Sequence, residues 1–497
     1  MILHRIFTTR NLLAIFVLLV FAKQSQAQEK TIEDYRSQAP FDMPKVQEPE
    51  FQDKMFNILD YGAVSDGQTL NTTAFAKAIE ACSAAGGGKV VVPPGLWLTG
   101  PIELKSNINL VVERGALLQF TPDHSQYPMI KASAHSSSIV TASPIYGYDL
   151  ENIAITGGGI IDGAGESWRP VKKSKTTESQ WKGLVKSGGV VSDDGKIWWP
   201  TKQAIEGEAY LKKLKHQDKK ATAEDYLPAR DYMRPYMVLL KNCKKVLIEG
   251  VTIRNSPKFV FYPNWCTDVT VRYVNIFNEW WAQNGDGIDI SACKNVVIYK
   301  CNVSVGDDGI CMKSSDTDDQ EPGTANLENV LIAGCNVYHA HGGFVIGSNT
   351  DGNLRNVFVT DCNFDGSDIG IRVKSNTGRG GLVKDIYIKD VFMSDIQDAA
   401  ILFTTFYENV PAGKEKSKTL PKIEGKTPEF TRFHIKNVFC RGAATAISIT
   451  GLPQVPIHDI DFDNVVISAD KGYEAKNTED INFKNVKIIT PEKVFSW

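Results

Sequence analysis

The C-terminal half of the chain repeats one short pattern of apolar and polar positions. The segments NCKKVLIEGVTI, WCTDVTVRYVNI, ACKNVVIYKCNV, NLENVLIAGCNV, NLRNVFVTDCNF and LVKDIYIKDVFM each read apolar-x-apolar, two residues, apolar-x-apolar. Their anchors are Val246, Val269, Val296, Val330, Val357 and Ile386, spaced by 23, 27, 34, 27 and 29 residues, with weaker copies at Phe433, Ile460 and Ile481. Alternation with period two marks strands with one buried face, and the Gly, Asn and Asp between the runs mark turns. Short β-branched strands recurring at this period predict an all-β, right-handed, single-stranded parallel β-helix, each coil burying its inward face on its neighbours. A leucine-rich repeat would hold Leu at fixed positions, and a propeller would need a longer period.

Upstream, Asn71-Thr72-Thr73 followed by AFAKAIEACSAAGGG predicts a capped amphipathic helix ended by glycines, just ahead of the strand Lys89-Val90-Val91-Val92. Such a helix suits the open N-terminal end of the solenoid. Residues 28–55 are rich in Pro and charge and read as an extended leader, leaving 56–497 for the β-helix. One stretch breaks the rhythm. From about 165 to 233 the chain is Lys-rich, carries Trp168, Trp181, Trp198, Trp199, Tyr210 and Tyr226, and shows no strand period. It reads as an insertion projecting from the coils, either lining a cleft or decorating the surface.

Charge and composition narrow the partners. Arg5 and Arg10 precede the apolar run Leu12 to Ala22, and Ser25-Gln26-Ala27 supplies a cleavage site, so residues 1–27 read as a signal peptide for export to the periplasm or beyond. No later run is long enough to span a bilayer. Removing residues 1–27, with three basic side chains and no acidic one, takes the net charge from −3 to −6. That balance argues against nucleic acid, though an acidic polymer can bind where basic residues cluster locally. The nine cysteines form no CxxC pair, so a zinc or dithiol site is unsupported. Cys293, Cys301, Cys335 and Cys362 fall at repeat positions and read as stacked interior residues.

The candidate chemistry lies where charge interrupts the repeats. Asp286 sits in NGDGID, Asp307-Asp308 in GDDGICMKS, His341 in HAHGGFVIGS, and Arg372 with Lys374 in GIRVKSNTGRGG. Measured from the preceding anchors, they fall at nearly one phase on four successive coils. Neighbouring coils stack about 4.8 Å apart, so these side chains should line one groove. Three gathered carboxylates repel and retain a proton, and glycoside hydrolysis needs one protonated carboxyl and one ionised carboxylate. His341 would hydrogen-bond a carboxyl. Arg372 and Lys374 alternate with Val373, face one side, and suit a substrate carboxylate.

These motifs resemble those of the polygalacturonases, the family 28 glycoside hydrolases, whose fold is the pectin lyase-like solenoid. NGDGID is similar to the family's Asn-Thr-Asp motif, GDDGICMKS to Gly-Asp-Asp, AHGGFVIGS to Gly-His-Gly and RVK to Arg-Ile-Lys, in the family's order. Gly285 stands where Thr is usual, and Ala340 replaces the first Gly of the histidine motif. The resemblance implies cleavage of pectin with inversion, Asp307 as general acid, Asp286 and Asp308 activating water, and His341 supporting the acid. It implies Asn284, Arg372, Lys374, Lys313 and Arg379 as substrate-binding residues, no cofactor or metal, and a monomer acting on pectic polysaccharide. An inverting pair should stand about 6.5–9.5 Å apart.

Three other readings compete. A rhamnogalacturonan or xylogalacturonan hydrolase would use the same acids on another backbone. A calcium-dependent pectate lyase would share the fold; the run Asp316, Asp318, Asp319 invites calcium but lacks an EF-hand glycine and reads as a solvated turn. A catalytically dead carbohydrate-binding solenoid would not need the full acid set.

Overall fold

The computed structural model describes residues 29–216, 221–407 and 425–497. The expected signal peptide, 1–27, lies outside the described residues. Residues 29–38 form a separate small unit. Its helix Ile32–Arg36 departs from the extended leader because Thr31 and Asp34 close a capping box around the first turn.

From residue 39 on, the chain is a right-handed parallel β-helix. The nine anchors stack in one column, each the parallel partner of the next from Val246 to Ile481. The residue before each anchor turns the corner in the left-handed region: Asp268, Asn295, Asn329, Asn356 and Asp385 have φ of 56° to 61°. Asn and Asp tolerate that region best after Gly. Their amides then bond coil to coil, Asn295 to Asp268, Asn329 to Asn295 and Asn356 to Asn329, each at 3.1 Å. All nine cysteines are free and buried. Cys362 pairs in register with Val391 and that with Val438, so thiols and valines fill one interior column interchangeably.

The helix at the N-terminal end spans Thr72–Ala84 and buries Ala74, Phe75, Ala78, Ile79 and Cys82 against the first coil. Asn71 precedes it without capping it. Its amide instead accepts from the Val64 N–H (2.7 Å) and donates to the Val64, Thr69 and Leu98 carbonyls. At the other end Val494–Ser496 pairs antiparallel with the last long strand, and Trp497 stacks on Phe483. That hairpin covers part of the exposed edge of the solenoid.

One sheet positions the candidate site. Its successive strands include β1 (Val238–Lys241), β2 (Phe261–Asn264), β3 (Ile288–Ser291), β4 (Asp308–Ser314), β5 (Gly342–Thr350) and β6 (Ile371–Lys374), all parallel. Val238, Phe261, Ile288, Ile310, Phe344 and Ile371 share one register column.

Residues between Asp162 and Val238 leave this rhythm. They form a small antiparallel sheet (Val171–Lys172, Val190–Val191, Ile197–Trp199) and helices Glu178–Lys186 and Lys202–Lys215. Val171, Trp181 and Trp198 make their own apolar cluster. A buried polar knot ties this segment to the first coils. His124 Nδ1 lies 3.0 Å from Asp231 Oδ1, and His124 Nε2 lies 3.2 Å from Ser167 Oγ. The order matches a nucleophilic triad, but the Ser167 hydroxyl is 2.8 Å from, and donates to, the Ala164 carbonyl. The nearby N–H groups of Ser167, Trp168 and Arg169 are spent on Ala164 and Gly165, so they cannot serve an oxyanion. His124 is clamped on Trp168 at 3.5 Å. The knot fastens; it does not catalyse.

The acidic run is a turn with Asp318 exposed, as expected, but its carboxylates are tied down by other segments. Asp319 accepts from the Lys241 ammonium at 2.7 Å, with side chains 1% and 6% exposed, and from Ser133 and Thr317. Asp318 accepts from the hydroxyls of Ser136, Ser137 and Ser138 and two of their amides. These donors occupy the carboxylates of Asp318 and Asp319.

Candidate active site

The register fixes which side chains meet. Asp286 and Asp308 each stand two residues before the column positions Ile288 and Ile310, and Asp307 and His341 each stand three before theirs. Arg372 follows Ile371 by one, and Lys313 and Lys374 follow Ile310 and Ile371 by three. One oxygen from each of Asp286, Asp307 and Asp308 falls within 4.8 Å of the others. A cleft of about 710 Å³ opens over them.

Cations interleave the acids. Lys374 Nζ lies 2.6 Å from Asp308 Oδ2 and Arg372 Nη1 3.3 Å from Asp308 Oδ1, both beneath the Tyr407 ring. Lys313 donates to Asp289 and stands 3.6 Å from Asp286 Oδ2. Its ammonium is thus directed at buried acids. Asn284 donates its backbone N–H to Asp307 Oδ2 (3.2 Å) and accepts from Arg234 on its side chain (2.9 Å). Arg379 lies 3.5 Å from Asp351 at the cleft wall. With these ammonium and guanidinium groups already inside the acid cluster, the trio makes a poor cation cage.

The three acids are electrostatically unequal. Burial, then Asp289, Asp307 and Asp308, push the Asp286 carboxyl well above the ordinary range against the pull of Lys313. Burial also raises Asp307, but the hydrogen bond and charge of His341, with Lys374 and Arg372, outweigh it and hold the group low. For Asp308 burial is likewise overcome, here by Lys374 and Arg372. His341 Nδ1 lies 3.1 Å from Asp307 Oδ1.

Several cleft residues escaped the motif reading. Lys258 precedes Phe261 by three, the phase of Asp307 and His341, two strands before Asp307 with Gly285 at that phase between them. Burial, with Arg234 beside it, pushes its ammonium down to about 8. Arg234 itself is pushed to about 10, first by burial and then by Arg169. Extending the phase rule toward the N-terminus would have found Lys258. Lys172, Lys175, Trp199 and Tyr232 come from the segment outside the coils and also line the cleft, so that segment is part of the wall. No periodicity could have placed them. Gly285, the departure from Thr, is packed: a Cβ there would stand 2.8 Å from Asn278 Nδ2 and 3.0 Å from Ala282.

The family model for Glycosyl hydrolases family 28 matches residues 179–490. The chain belongs to that family. It is a glycoside hydrolase, and the acid cluster lies inside the family 28 region. Residues 55–179 match a second model, Rhamnogalacturonase A/epimerase, pectate lyase-like. A probable polygalacturonase of Vitis vinifera is 27% identical over 83% of this chain and 74% of its own length. An exo-poly-alpha-D-galacturonosidase of Dickeya chrysanthemi is 29% identical over 87% and 70%. Among solved structures, a hyperthermoactive exopolygalacturonase from Thermotoga maritima superposes with a TM-score of 0.72 at 29% identity, covering 90% of this chain and 94% of that one.

Proposed function

We propose that this family 28 member is an exported polygalacturonase that hydrolyses α-1,4-galacturonosyl linkages of pectin. The observation carrying this reading is the acid trio at the floor of a cleft lined by Lys172, Lys175, Arg234, Lys258, Lys374 and Arg379. A polyuronate is the sugar polymer that such a basic wall attracts, although the whole chain is acidic. Asp307 donates the proton to the leaving oxygen, and Asp308, held ionised by Lys374 and Arg372, activates the water that Asp286 helps to position. A galacturonate carboxylate draws on Arg372 and Lys374, exchanging contacts with Asp308. Residues 56–497 act as the catalytic β-helix after loss of 1–27. Among the described residues no helix is long and apolar enough to cross a membrane.

Product analysis is the test. Homogalacturonan should yield saturated galacturonate products while rhamnogalacturonan is spared; cleavage of rhamnogalacturonan alone would transfer the site to that backbone. NMR of the newly formed anomer should show inversion. A retained anomer would overturn the inverting route.

The wall from residues 163–236 supports release from a chain end. Lys172 and Trp199 from this segment line the cleft that holds the acids. Replacing both with Ala should lengthen the earliest products from monomer or dimer to mixed oligomers in a timed chromatogram. An unchanged size distribution would refute the exo assignment.

A further inference from the structure

Lys175 reaches from the small antiparallel-sheet segment to the candidate acid's own partner. It ends the short helical turn Lys173–Lys175, and its Nζ lies 2.8 Å from His341 Nε2. The same ammonium donates to the Trp280 and Gly306 carbonyls at 3.3 and 3.4 Å and lies 5.3 Å from the centre of the Trp280 ring. These contacts fix its position without help from substrate.

An ammonium has three donors and no lone pair to accept with. A 2.8 Å contact therefore requires the Nε2 lone pair of His341 to face Lys175, which leaves the ring proton on Nδ1. Nδ1 in turn is the atom beside Asp307 Oδ1. The reverse arrangement, a neutral lysine accepting from an imidazolium Nε2–H, would leave the proton on the weaker base, because amines are ordinarily about four pKa units more basic than imidazole. Burial does push the Lys175 ammonium down, with Lys172 adding to it, while Asp307 and Asp368 hold its proton on.

We infer that Lys175 is a positioning residue that locks His341 as a neutral, Nδ1-protonated imidazole hydrogen-bonded to Asp307. This rests on the proposed role of Asp307 as proton donor. Around His341, Lys175 at 2.8 Å is nearer to Nε2 than Asp368 Oδ2 at 3.6 Å, Asp307 faces Nδ1, and Arg372 bonds only the backbone carbonyl. The consequence is chemical. Much of what holds Asp307 ionised is the hydrogen bond and charge of His341. A neutral ring keeps the N–H···O bond and withdraws the charge, leaving a state in which Asp307 can carry the proton it delivers. Without Lys175 the same proton sits on the ring as an imidazolium beside an aspartate anion, and the acid is lost with no change in proton count.

Nitrogen-15 NMR of histidine-labelled protein tests the lock without using activity. The chain has eight histidines, so His341→Gln assigns the signal. At pH 6 the native ring should show an unprotonated Nε2 and a protonated Nδ1. Lys175→Met should turn both nitrogens imidazolium-like, and Lys175→Arg should restore the native pattern. In kinetics, Lys175→Met should lower kcat about tenfold with KM moving less than twofold. It should also move the alkaline limb of the profile to higher pH, because a nearby positive charge no longer helps expel the shared proton. An unchanged His341 spectrum in Lys175→Met would overturn the inference. A changed spectrum in a protein that cleaves no galacturonan would instead keep the lock and discard the substrate assignment.

Discussion

Asp307→Asn should lower kcat on homogalacturonan by roughly 10²- to 10⁴-fold, the usual worth of a positioned general acid, while KM changes little. The carboxamide keeps the shape of the side chain but has no acidic proton to give to a leaving sugar oxygen. In the native site Asp307 is surrounded by donors: the Asp308 and Asn284 backbone N–H groups and His341. An amide must turn its NH₂ toward one of them, costing about 1 kcal/mol for the lost bond. Thermal unfolding separates that small structural cost from the catalytic one. A second arm addresses the unequal acids, since the raised carboxyl is Asp286. An aryl galacturonide with a good leaving group needs no acid and should rescue Asp307→Asn but not Asp286→Asn. Rescue of Asp286→Asn alone would reassign the proton donor. Undiminished hydrolysis of every pectic substrate by Asp307→Asn would remove the assignment altogether.

The fold was legible because a parallel β-helix writes its register into sequence. Each coil repeats one alternation, so Val246 and Ile481, more than two hundred residues apart, belong to one readable column. The candidate site was legible for the same reason: Asp286, Asp307, Asp308, His341, Arg372 and Lys374 keep phase with that column. Lys258 obeys the phase too and went unread because no acidic motif marked its coil. Lys175 and Trp199 were beyond reach, since they enter from a segment whose own small core around Trp181 and Trp198 has no relation to the coil period. Asp318 and Asp319 failed differently. In one dimension they are a polar turn; in three, the serines near 136 and Lys241 from other coils turn them into a closed clasp. Pairing between distant charges, more than the placement of strands, is what the pattern could not show. Lys313 lines the cleft, and the motif reading could not show that its ammonium also points to Asp289 and Asp286.

Lys313→Met should destabilise the protein by about 3–5 kcal/mol at neutral pH, because it breaks a buried ion pair and leaves the acids behind. Asp289 is fully buried, and one oxygen of Asp289 and one of Asp286 have no hydrogen-bond donor among the described residues. Burial is the largest influence on Asp289, lifting its carboxyl to about 6 even with Lys313 opposing it. A carboxyl raised on folding binds its proton more tightly in the native state than in the unfolded one, where it titrates near 3.9. Its contribution to stability is therefore greatest below about pH 4 and is lost as the pH climbs through about 6. Removing Lys313 raises the folded value further, so the loss continues through neutrality instead of ending just above 6. Urea unfolding at pH 5 and pH 8 reads this directly: variant and wild type should draw together at the lower pH, where Asp289 is protonated in both, and separate at the higher. An equal gap at the two pH values would mean that Lys313 matters for packing along its methylene stem, and that the charge it brings to Asp289 and Asp286 does not.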